Sequence, residues 1–232
     1  MTKHCFFFIA CIIFSGVLLA QGKVFKNRSS MQLKGGANFS NISISENGSV
    51  DKANTLSSFH LGVMVDLPLA SILSFQGGLL YTGKGSKVEF GKPGDAVYVQ
   101  GTSGPMYIEM PLQLVAKIPI VIGKIFVGAG PYGAIGITGK NKLTIQSGGA
   151  TTYSNKNIAF SGDSTVTPSI YGFGRLKRLD FGLNALAGIE ISRFIFTANY
   201  GMGFADIKEG NINNDNDNNK YRVLSFSVGL KL

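Results

Sequence analysis

The sequence predicts an all-β protein, an eight-stranded antiparallel up-and-down transmembrane β-barrel that follows an N-terminal signal peptide. Three observations carry this expectation. Segments of alternating apolar and polar residues recur along the chain, the mark of strands lying between two environments. The gaps between them alternate long and short, as extracellular loops and periplasmic turns do in bacterial barrels. The chain also opens like an exported protein.

Residues 1–20 carry Lys3 and His4, then an apolar run broken only by Ser15 and Gly16, with a cut expected near Ala20. A membrane-anchoring helix is disfavoured because the run is short of the roughly 20 residues a span needs. Cleavage removes Cys5 and Cys11, so the mature chain has no disulfide and no thiolate nucleophile. It also removes Lys3, taking the formal charge from +9 to +8. Beyond the signal no apolar run reaches about 18 residues, so no transmembrane helix is expected, and the chain can still be integral if its spans are strands.

A polar lead at 21–30 precedes the barrel domain, 31–232. The first strand, 31–45, sets Leu33, Gly35, Ala37 and Phe39 against Lys34, Gly36, Asn38 and Ser40. Ile42 and Ile44 fall on the opposite phase, which predicts a bulge near Asn41. The second strand, 56–67, alternates Phe59, Leu61, Val63 and Val65 with His60, Gly62, Met64 and Asp66. A tight turn at Pro68 leads into the third, 72–90, whose half beyond Gly83 is expected to project past the bilayer. A loop is expected at 91–104. The fourth strand puts Ile108, Met110, Leu112, Leu114 and Ala116 on one side and Tyr107, Glu109, Pro111, Gln113, Val115 and Lys117 on the other. Its eleven residues suffice for a tilted span of about 9–11. The fifth strand is 124–138, and 139–177 is expected to be a long, irregular polar loop. The sixth strand is 178–191 and the seventh 194–207. An Asn/Asp-rich loop, 208–219, then leads to the eighth, 221–232.

Aromatic residues predict two interfacial belts. Phe59, Tyr81, Tyr107, Phe204 and Tyr221 lie toward the long-loop ends, and Phe75, Phe126, Phe194 and Phe196 toward the short-turn ends. Glycine, at 31 residues, suits a narrow lumen filled by side chains.

Several stretches resemble the PorT-like family of outer-membrane β-barrels: Phe59-His-Leu-Gly-Val63, Tyr107-Ile-Glu-Met-Pro-Leu112, Val127-Gly-Ala-Gly-Pro-Tyr132, Leu179-Asp-Phe-Gly-Leu183 with Ala187-Gly-Ile-Glu190, and Tyr200-Gly-Met-Gly-Phe204. Tyr107, Glu109, Pro111, Gly130, Pro131 and Tyr132 are its most specific positions. The resemblance implies an eight-stranded barrel in the cell outer membrane and, through the family's namesake, a part in protein secretion. It implies no catalytic residues. Barrels of this kind often end on an aromatic residue, whereas this chain ends on Leu232.

Asp66, Lys117, Glu190 and Lys231 are expected to face inward near the short turns as an ion-pair network closing the lumen floor. If the fourth-to-fifth turn centres on Val121, Pro111 lies opposite Pro131 and the two form one break in the ladder. That register points Phe126 and Tyr132 to lipid and Val127 and Ala129 inward. Lys140, Lys142, Lys156, Arg175, Lys177 and Arg178 face only Asp163 within the third long loop, a basic segment suited to lipopolysaccharide phosphates or to plain solvation.

Other chemistry is disfavoured. Gly128-Ala-Gly130-Pro-Tyr-Gly133 matches a dinucleotide fingerprint, but no helix pattern follows. Gly78-Leu-Leu-Tyr-Thr-Gly83-Lys84-Gly85 lacks the final Ser or Thr of a phosphate loop. His60 is the only histidine left after cleavage, which argues against hydrolytic triads and His/Cys metal sites. Asp206 with 211–219 matches no calcium loop. The expected protein is a non-enzymatic, cofactor-free, metal-free monomeric barrel, structural or part of an envelope or secretion machine. Its partners are outer-membrane lipid and other envelope proteins, not nucleic acid. The alternatives are an adhesion or ligand-binding barrel working through its loops, and a soluble lipocalin-like carrier.

Overall fold

The computed structural model describes residues 29–43, 55–92, 94–161, 175–207 and 220–232. The expected signal peptide, Ile44, Asp163 and the 208–219 loop lie outside the described residues. No helix occurs among the described residues. The strands are β1 (Ser30–Ser43), β2 (Leu56–Pro68), β3 (Leu73–Gly83), β4 (Ser86–Phe90), β5 (Val97–Ile120), β6 (Gly123–Ser147), β7 (Ala150–Asn157), β8 (Leu179–Ile191), β9 (Phe194–Gly203) and β10 (Lys220–Lys231).

All ten belong to one antiparallel sheet of order β4-β5-β3-β2-β1-β10-β9-β8-β6-β7, with β5 also pairing β6. Followed from β5 through β3, β2, β1, β10, β9, β8 and β6, the pairings return to β5. β4 and β7 stand outside this ring. β4 continues the line of β3 along β5, and β7 returns along the far end of β6.

Polarity is inverted relative to a water-soluble core. Leu61 (54% exposed), Leu114 (53%) and Phe226 (51%) face outward, while Asn38 (0%) and Asp180 (2%) are buried. In β5 the split follows the alternation residue by residue: Ile108, Met110, Leu112 and Leu114 lie outside, and Tyr107, Glu109, Gln113, Val115 and Lys117 lie inside. Apolar side chains on the outer wall are favourable only where hydrocarbon replaces water, and the sheet pairs its backbone groups strand to strand.

Four expectations about register need correction. No bulge occurs at Asn41, because Ser40, Asn41 and Ile42 pair in sequence with Val223, Arg222 and Tyr221. Ile42 shares the inner phase of Asn38 and Ser40 and packs against an apolar cluster there. The β5–β6 turn is the two-residue Val121-Ile122, with Ile120 pairing Gly123, so Pro111 pairs Tyr132 rather than Pro131. The prolines still coincide with a ladder break, since Leu112 and Gln113 have no β6 partner. Because a one-residue slip exchanges the faces of a strand, Phe126 and Tyr132 point inward, and Val127 and Ala129 outward.

The belts change accordingly. Phe59, Phe194, Phe196 and Phe204 lie on the outside, with Tyr81 and Phe75 half-buried. Tyr107, Tyr221 and Phe126 belong to the interior.

The expected loops at 91–104 and 139–177 are largely strand. β5 begins at Val97, β6 extends to Ser147, and a Gly148-Gly149 turn starts β7. At 24 and 25 residues, β5 and β6 are about twice the length a span requires. Their far ends, with β4 and β7, form a four-stranded arm. The β5–β6 register shifts between Met106 and Tyr107, which pair Thr138 and Gly136 and leave Ile137 as the extra residue. Such a bulge reverses which phase of β6 faces outward.

Candidate functional site

The interior is filled in tiers. At the floor the Lys117 ammonium contacts the Asp66 carboxylate and lies 3.9 Å from Glu190, and Lys231 donates to Glu190 Oε1 at 2.7 Å. The short-turn ends of β2, β5 and β8, with the adjacent end of β10, bring these four side chains together. Above them Val115, Phe126, Leu186 and Ile195 form an apolar layer. Phe126 fits because Gly188 faces it: a Cβ there would lie 2.4 Å from the ring and 2.2 Å from the Phe196 carbonyl.

The middle tier is a polar network around a cavity of about 30 Å³. Asn38 Nδ2 donates to Thr82 Oγ1 and the Gly83 carbonyl, both at 2.9 Å, which turns its Oδ1 toward His60 Nδ1 at 2.7 Å. His60 therefore carries its proton on Nδ1 and is a structural donor. Gln113 Oε1, Asn199 Oδ1 and Ser227 Oγ have no protein partner and belong to residues lining the cavity. Its volume suits one or two water molecules.

The upper tier centres on Lys84. This side chain is 2% exposed, and its ammonium lies 2.8 Å from Glu109 Oε2 and 2.7 Å from Asp180 Oδ2. The Tyr132 and Tyr107 rings lie 4.1 Å and 5.5 Å from it. Tyr132 Oη donates to Asp180 at 3.2 Å, and Asn184 Nδ2 to Glu109 at 3.3 Å. Two carboxylates and two π-faces around one ammonium replace the hydration that it loses on burial.

The mouth is sealed by apolar side chains. Tyr107, Tyr221, Phe160, Leu176, Ile158 and Ile207 form one buried cluster, with Tyr107 edge-on to both Phe160 and Tyr221. Phe160 arrives from the segment after β7, held by its bridge to Leu176, and lies against Gly136, where a Cβ would stand 2.2 Å from its ring. Among the described residues, apolar side chains cover the mouth and ion pairs cross the floor.

Of the motif positions, Tyr107, Glu109 and Tyr132 meet around Lys84. Pro111 is buried in the ladder break, while Gly130 and Pro131 lie in the wall opposite Gln113 and Leu112. The basic loop is divided. Lys140, Lys142 and Lys156 stand on the β6–β7 hairpin. Arg178 lies 5.6 Å from the Phe160 ring, and Lys177 lies 3.6 Å from Asp206. On the arm, hydrogen bonds from Lys87 and then Tyr98 hold the Glu89 carboxyl below its usual range. No cluster of metal-ligating side chains occurs among the described residues.

An alternating wall with apolar residues outside, a polar interior, and loops sorted long and short is the pattern of an outer-membrane barrel. A family model described as outer membrane protein beta-barrel domain matches residues 19–209. The chain belongs to this family. As a member of the outer membrane protein beta-barrel domain family, it is placed in the outer membrane. Solved structures similar to it include the attachment invasion locus protein Ail of Yersinia pestis, at 13% identity and TM-score 0.41, covering 89% of this chain and 100% of that one. Neisserial surface protein A matches at 13% identity and TM-score 0.39, with the same coverage. The N-terminal β-barrel domain of Pseudomonas aeruginosa OprF matches at 11% identity and TM-score 0.29, covering 88% and 100%. No curated protein sequence matches the chain.

The Lys84 cage and the Phe160 plug are what sequence reasoning missed. Lys84 sits between two glycines, and in the sequence it reads only as part of an incomplete phosphate loop. The apolar triplet Ile158-Ala159-Phe160, inside an otherwise polar stretch, was the available signal for the plug.

Proposed function

We propose that this outer-membrane protein is a closed, eight-stranded, non-conducting and non-enzymatic barrel that anchors a rigid β-arm at the cell surface, and that it acts by binding through the arm. The observation that carries this reading is the length of β5 and β6 beyond the span, paired with β4 and β7 as continuous ladder rather than loop. A filled lumen suits an anchor better than a pore. The arm offers a preformed surface, which lowers the ordering cost of association. The secretion role implied by the PorT-like resemblance makes a different prediction, a partner held by the barrel itself.

Clipping both hairpins, from Ser86 to Ser103 and from Asn141 to Lys156, separates the two. Cells carrying the clipped and full chains are treated with a membrane-impermeant cross-linker. The clipped barrel should keep its heat-modifiable gel mobility and lose its cross-linked adducts. Unchanged adducts on the clipped barrel would overturn the arm reading and favour a partner of the barrel.

A further inference from the structure

We propose that the outward face of the arm is a docking surface for phosphate groups of the surrounding outer-leaflet lipid, held by Lys140 and Lys142 with Thr102, Asn155 and Asn157. This rests on the membrane reading above and assigns a ligand to one face of the arm.

The placement follows from register. On β5 the even-numbered residues face outward, shown by Ile108, Met110 and Leu112. Thr102 pairs Lys142, and Gly104 pairs Lys140, so both lysines share that outward phase. They do so because of the extra residue Ile137. Without it, the outward phase of β6 that carries Ile135 would continue into Asn141 and Leu143. The last exposed aliphatic residue before the lysines is Ile137, and three residues of strand put Lys140 roughly 10 Å beyond it. With the strand tilted by about 40° this is about 7–8 Å of depth, close to the outer limit of the headgroup layer.

Charge points the same way. Residues 97–108 and 138–157 contain three lysines and no carboxylate, and the one carboxylate that β4 adds to this face, Glu89 beside Gln100, is paired with Lys87 at 2.6 Å. Lys140 and Lys142 are exposed and make no ion pair among the described residues. Side chains two apart on one face of a strand are separated by about 7 Å, so both ammoniums can reach one phosphorylated headgroup. Across the ladder, Asn157 stands beside Lys140 and Asn155 beside Lys142, adding neutral donors to the same face. Lys156 pairs Asn141 on the opposite face and serves as an internal control.

The test uses the full mature chain folded in neutral detergent, with native mass spectrometry reading retention of bisphosphorylated lipid A, its dephosphorylated form, and inorganic phosphate. At about a fivefold contribution per surface lysine, K140Q/K142Q should bind lipid A roughly 25-fold more weakly than the wild type. K156Q should be unchanged, and dephosphorylated lipid A should bind poorly to all three. Retention by K140Q/K142Q within twofold of wild type overturns the proposal. So does equal loss in K156Q, which would indicate net charge alone, or displacement of lipid A by millimolar phosphate, which would indicate a free-anion site. Heat-modifiable mobility, measured on each sample, reports separately on the barrel.

Discussion

The Lys84 ammonium lies 4.1 Å from the centre of the Tyr132 ring, on a strand that reaches it only because β6 is in register with Pro111 against Tyr132. One residue of slip would put Tyr132 in lipid and leave Lys84 with its carboxylates but without that π-face. The cage and the wall are therefore specified together.

Removing the Lys84 charge leaves Glu109 and Asp180 buried and unpaired. Lys84→Met should destabilise the folded barrel by about 3–5 kcal/mol, as expected for breaking a buried pair from one side. Replacing all three residues by apolar ones of similar size should recover much of the loss. Urea unfolding in detergent, followed by gel mobility, measures both. An unchanged midpoint in Lys84→Met would show that the ammonium is not seated between the two carboxylates.

The floor is less enclosed, since the Lys231 side chain is 32% exposed. Glu190 nevertheless holds Lys231 at 2.7 Å and stands 3.9 Å from Lys117. Glu190→Gln should lower the unfolding midpoint by less than Lys84→Met does, because water can replace part of the lost interaction. Equal losses in the two variants would contradict the difference in burial.

Phe160 seals the mouth by lying where Gly136 has no side chain. A leucine at 136 cannot coexist with it, and evicting a buried phenylalanine costs about 3–5 kcal/mol if the space stays unfilled. Gly136→Leu should expose Phe160 to chymotrypsin while the spanning strands remain protected. A digestion pattern identical to wild type would mean that the ring is not held against Gly136.

The spanning strands were legible because period two survives wherever one face meets lipid. The floor residues Asp66, Lys117, Glu190 and Lys231 could be placed inward for the same reason. Phe126 and Tyr132 could not, because their face depends on whether the Val121 turn contains two or three residues, and alternation is blind to that. The arm was hidden because beyond Ile137 its outward face becomes polar, and polar alternation reads as loop. Lys84 was hidden because an inward lysine is recognisable only once Glu109 and Asp180, 25 and 96 residues away in sequence, are known to face it.

The sequence contains no tryptophan, so single tryptophans can report which surfaces lie in hydrocarbon. Leu183 and Phe226 are outward on β8 and β10, whereas Phe90, 71% exposed, stands at the tip of β4 on the arm. In vesicles of acyl-chain-brominated lipid, Leu183→Trp and Phe226→Trp should be quenched strongly and Phe90→Trp weakly, with aqueous iodide giving the opposite order. A charge at the same wall position sharpens the argument. Leu183→Arg should cost about 2–4 kcal/mol near the bilayer midplane and progressively less toward the interface. A water-soluble particle with the same strands would show iodide quenching at Leu183→Trp and tolerate Leu183→Arg, since an outward arginine would then be solvated.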